Sequence, residues 1–94
     1  MGDEAKAQWW ARVVVTLKPV VNDPQGLAIR DGLQQLGYAG VGLVRAGKVI
    51  DLHLEAADAA AATEAAGEMA ARLLANPVIE EFTCTVQPVP VTSG

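Results

Sequence analysis

The chain has 94 residues, a formal charge of −4 and a composition that is 51% apolar, much of it alanine. The length fits one domain with a thin core, so an oligomer is expected from the outset. Seven scattered Lys and Arg face eleven Asp and Glu, and no apolar run approaches the ~20 residues of a membrane span, which argues against nucleic-acid and membrane partners.

Residues 1–8 are small and polar and are expected as a frayed extension. The folded domain is placed at 9–86. Residues 11–18, ARVVVTLK, alternate with period two: Val13, Val15 and Leu17 on one face, Arg12, Val14, Thr16 and Lys18 on the other. Alternating β-branched residues predict a strand with one buried face. Pro19 ends it. In NDPQG, Asn22 or Asp23 can cap a helix and Pro24 suits its first position. The helix is expected over 24–36, with Ile29, Leu33 and Leu36 on one stripe, Leu27 off it and Gly37 as C-cap.

Residues 38–56 read as a hairpin, VGLVR then VIDLHLE, turning near Ala46-Gly47. Gly40 and Gly42 weaken its first strand, which therefore belongs at an edge. Ile50, Leu52 and Leu54 face one way; Val49, Asp51, His53 and Glu55 face the other. Asp58 can cap a second helix reaching Ala75, with Ala59, Ala62, Ala66, Met69, Ala70 and Leu73 as its apolar stripe. An alanine stripe implies close approach to a sheet. Asn76-Pro77 must stop this helix, because proline disfavours helical geometry before it and lacks a donor. Residues 78–86 form the last strand, with Phe82, Cys84 and Val86 on one face. The tail 87–94, QPVPVTSG, is expected to be flexible and outside the sheet.

The order is β-α-β-β-α-β. The economical solution is α+β: a two-layer ferredoxin-like arrangement, a four-stranded antiparallel sheet with two helices on one face. The stop at Asn76-Pro77 turns the last strand back beside the first.

Chemistry is sparse. His53 between Asp51 and Glu55 is a thin basis for acid–base or metal work, and a half-exposed sheet residue is the better reading. Cys84, the only cysteine, allows no internal disulfide and reads as a small core residue. There is no phosphate-loop motif, and at NDPQG Asp23 would compete with any anion. Arg45 and Lys48 flank the predicted turn, with Asp51 close enough along the hairpin to pair with either. The open sheet face, mixed in character with Val14, Thr16, Lys18, Asp51, His53, Thr83 and Ile79, suits contact with another chain. The N-terminal MGDEAKAQWW lacks the pattern of a signal peptide, and the cytoplasm is the expected compartment.

Three stretches, LKPVVNDPQG, VRAGKVIDL and LLANPVIEEF, occur in an order and spacing that resembles the PurS family, the small subunit of phosphoribosylformylglycinamidine (FGAM) synthase. The resemblance spans about residues 12–86. It implies the same fold, homodimers or homotetramers, and a non-catalytic subunit that joins the PurL synthetase to the PurQ glutaminase. That complex converts formylglycinamide ribonucleotide, glutamine and ATP to FGAM, glutamate, ADP and phosphate. ATP and Mg would be used by PurL, and no cofactor is expected on this chain. Arg45, Gly47 and Lys48 match the family's VRxGK pattern and become candidate contact residues; Asn22, Asp23 and Leu27 are second candidates. Pro24, Gly37, Asn76 and Pro77 are assigned to the fold. An alternative from the same topology is a small-ligand regulatory module of the ACT type, with a site near Gly40 and Gly42.

Overall fold

The computed structural model describes residues 6–90. Three strands and two helices are arranged in the order β1 (Ala7–Leu17), α1 (Pro24–Gln35), β2 (Gly47–Ala56), α2 (Ala59–Met69) and β3 (Glu80–Pro88). The sheet is antiparallel, ordered β2-β1-β3. The last strand therefore lies beside the first, and α2 carries the chain from one edge to the other, touching all three strands.

The period-two reading sets the faces. Ala11, Val13 and Val15 of β1 are fully buried beneath α2 and its continuation. Leu54 and Ala56 join them from β2, while Ile50, Leu52, Phe82, Cys84 and Val86 pack at the margin. Ala62, Ala66 and Ala70 meet this face with no exposed surface, as the alanine stripe requires. Closing a valine such as Val13 into this layer contributes about 1.5–3 kcal/mol.

α2 runs on into a π-helical turn at Ala70–Leu74, closed by Ala75 N–H donating to the Ala70 carbonyl at 2.9 Å. One extra residue in the turn rotates the side chains beyond it about the helix axis. Leu73, expected on the stripe, is 83% exposed, and Leu74 packs against the core in its place. Met69 is 40% exposed, and Ala59, also expected on the stripe, is exposed at the first turn of α2. Asn76 then ends the helical run. Its Oδ1 accepts from Val78 N–H at 3.0 Å, its carbonyl accepts from Ile79 and Glu80, and its own N–H donates to Glu80 Oε1 at 2.6 Å. Lys18 N–H donates to the Ile79 carbonyl at 2.8 Å, which seats the start of β3 beside β1.

Several expectations are corrected. The sheet has three strands among the described residues, not four: residues 41–46 form no ladder. Three of their backbone groups are bonded elsewhere. Ala46 N–H goes to Asp23, Val41 N–H to the Tyr38 carbonyl, and the Val41 carbonyl to Gln34 Nε2. Only one helix, α2, packs closely on the sheet; α1 makes no extensive contact with another element. Its stripe is only partly covered: Leu33 is half-buried, but Ile29 is 42% and Leu36 75% exposed. The chain is accordingly 61 Å long and 16 Å thin, with a radius of gyration of 17.9 Å. A compact chain of this length would have about 12 Å.

The sheet is also longer than the hydrophobic pattern implied. β1 begins at Ala7, inside the supposed extension, and β3 reaches Pro88, inside the supposed tail. Trp9 pairs with Pro88 and Trp10 with Gln87, and Val89 N–H donates to the Gln8 carbonyl. Lys18 falls just beyond β1, and Ile79 just before β3. The remainder of both terminal stretches, 1–5 and 91–94, lies outside the described residues.

Candidate partner-binding surface

Three features stand out on the surface, and each arises from local sequence. The first is a loop lock at one end of the sheet. Asp23 caps α1, its carboxylate accepting Gly26 N–H at 2.9 Å and Ala46 N–H at 2.8 Å. These two donors, with Arg45 nearby, hold its carboxyl below the usual carboxylate range against the opposing effect of burial. Arg45 donates to the carbonyls of Leu17 and Lys18 at 2.7 and 2.9 Å, tying the segment before β2 to the end of β1. Two glycines are required here. A Cβ on Gly26 would strike the Val44 carbonyl, and one on Gly47 would strike the Val15 carbonyl. Gly37, at φ 105°, closes α1 in the left-handed conformation.

All six candidate contact residues gather at this end. Asn22, Asp23, Leu27 and Arg45 line an open cleft with Leu43 and Val44. Gly47 and Lys48 line the adjoining hollow over Val15 and Thr16. They divide by role. Asp23, Arg45 and Gly47 are occupied in holding the loop, whereas Asn22, Leu27 and Lys48 remain exposed.

The second feature is the exposed arm, α1 with the segments on either side of it. Val20, Leu36, Tyr38 and Leu43 are each more than half exposed, and Leu27 and Ile29 add to the same region of the molecule. An apolar stripe on a helix that packs closely on no other element leaves these side chains on the surface.

The third is the open face of the sheet. Arg12 and Asp51 sit directly opposite across β1 and β2 and form a two-pronged ion pair at 2.8 and 2.9 Å. The guanidinium holds the Asp51 carboxyl low, and the carboxylate raises Arg12 in turn. Arg12 lies 5.8 Å from the Trp10 ring centre, and His53 meets Trp10 edge-on at 6.1 Å. Trp10 Nε1–H is shielded from solvent near Asp51, without an acceptor at hydrogen-bonding geometry. Asp51 thus pairs with Arg12, not with Arg45 or Lys48 as the hairpin had suggested. His53 is exposed against Trp10.

This group was missed in the sequence for an identifiable reason. Cross-strand register is invisible along the chain, so Arg12 and Asp51 gave no sign of being opposite. Carrying the alternation of β1 four residues back would have placed Trp9 on the buried face and Trp10 on the open one.

Fold and surface together define a small α+β protein with two helices and a three-stranded antiparallel sheet, whose most conspicuous surface features are a locked loop, an exposed apolar arm and an ion-paired sheet face. The family model described as PurS, phosphoribosylformylglycinamidine (FGAM) synthase, matches residues 10–88. The chain belongs to the PurS family. It is 55% identical over 71 residues to the FGAM synthase subunit PurS of Synechocystis sp., covering 76% of this chain and 71% of that protein. The crystal structure of Methanocaldococcus jannaschii PurS, one of the subunits of formylglycinamide ribonucleotide amidotransferase in the purine biosynthetic pathway, superposes with a TM-score of 0.77. It is 33% identical, with 87% of this chain and 99% of that chain covered. The Thermotoga maritima PurS subunit gives a TM-score of 0.80 at 28% identity, with 93% and 100% covered.

Proposed function

We propose that this chain is the assembly subunit of an FGAM synthase in purine biosynthesis, working by binding and not by chemistry of its own. It would join a PurL-type synthetase to a PurQ-type glutaminase in the cytoplasm and pair with further copies of itself. Among the described residues no helix is long and apolar enough to cross a membrane. The observation that carries the reading is the arm: an apolar helix and loop held away from their own sheet in a chain that belongs to a family of complex subunits.

The physical logic is one of proximity. Ammonia released from glutamine at one site must reach a second site before it escapes to water or is protonated. Binding energy from a bridging subunit fixes the two sites in register and raises the effective concentration of the intermediate. ATP and Mg would belong to the synthetase partner, with no cofactor on this chain. The exposed Asn22, Leu27 and Lys48 are the contact residues at the locked end, and Asp23, Arg45 and Gly47 present them.

Co-purification with cognate PurL and PurQ in the presence of glutamine and ADP tests the proposal. The expected result is a ternary complex that Leu36→Asp with Leu43→Asp dissolves, while circular dichroism of the isolated variant stays native. No association of the unaltered chain with either protein would overturn it.

A further inference from the structure

We draw no further inference here: the strongest candidate, the shallow hollow on the open sheet face between Trp10, Arg12, Thr85 and Gln87, has its guanidinium already committed to Asp51, and nothing in the structure shows what covers it.

Discussion

Asp23 and Ala46 are 23 residues apart in the chain, and the carboxylate of one accepts the backbone N–H of the other at 2.8 Å. The same carboxylate caps α1 through Gly26, so one side chain both starts the helix and fixes where β2 begins. Asp23→Asn keeps one acceptor oxygen but replaces the other with a donor facing an N–H. Asp23→Ala removes both. The thermal midpoint is expected to fall in both variants, further in Asp23→Ala, with a lowered denaturant midpoint and an unchanged slope. Equal midpoints for all three proteins would show that the lock does not stabilise the fold.

The same group predicts acid behaviour. The carboxyls of Asp23 and Asp51 are held below their unfolded values, near 3.9. Groups lowered in the folded state contribute stability above the unfolded pKa and lose it as pH falls through the folded one. Stability should therefore be level from neutrality down to about pH 5 and fall below about pH 4. Asp23→Asn should flatten that fall. Urea titrations at a series of pH values measure this, and an acid limb unaltered in the variant would refute the assignment.

Two glycines should respond in opposite directions to the same change. Gly67 lies within α2 with open space where a Cβ would stand. Gly67→Ala is expected to stabilise by about 0.5–1 kcal/mol, through helix propensity and a less flexible unfolded chain. Gly26→Ala drives a methyl into the Val44 carbonyl and is expected to destabilise by about 1–3 kcal/mol. Denaturant unfolding of both variants decides.

Cys84 packs beside Val13 on the buried face, and burial pushes its thiol above the usual range. The thiolate is the reactive form. Labelling by a thiol reagent at pH 8 should therefore be slow in the folded protein and rise several-fold in denaturant. Equal rates in both states would show that the packing around Cys84 is loose.

Three of the four expected strands, the caps at Asp23 and Asp58, most of the alanine stripe and the stop at Asn76 were legible because each is a local pattern. Period two sorted Val13, Val15, Leu54, Phe82 and Cys84 to the buried face without error. The illegible part was tertiary. A stripe of Ile29, Leu33 and Leu36 reads the same whether or not it faces its own sheet, so α1 was placed on a sheet against which it does not pack closely. VGLVR read as a strand, but ladder formation needs free N–H and C=O groups, and the Tyr38 carbonyl and Gln34 claim those of Val41. The phase shift from Leu73 to Leu74 arises from the π turn, for which the sequence carries no marker. At the locked end the structure brings the two groups of candidate residues together, and the sequence could not separate Arg45, which holds backbone, from Lys48, which faces outward.

That separation has a consequence for mutagenesis. Arg45→Glu should lower the thermal midpoint because two carbonyls lose their donor, whereas Lys48→Glu should leave it within about 1 °C and weaken complex assembly. Thermal melts beside pull-downs with the partner subunits test the pair. Normal assembly of Lys48→Glu at both low and high salt would remove Lys48 from the contact surface.

The most direct measurement is glutamine-dependent FGAM synthesis by cognate PurL and PurQ, assayed with and without this polypeptide and with the polypeptide by itself. Synthesis that depends on adding the polypeptide, and none by the polypeptide alone, is the result expected of a scaffold. Full synthesis in its absence, or turnover by the isolated chain, would contradict it.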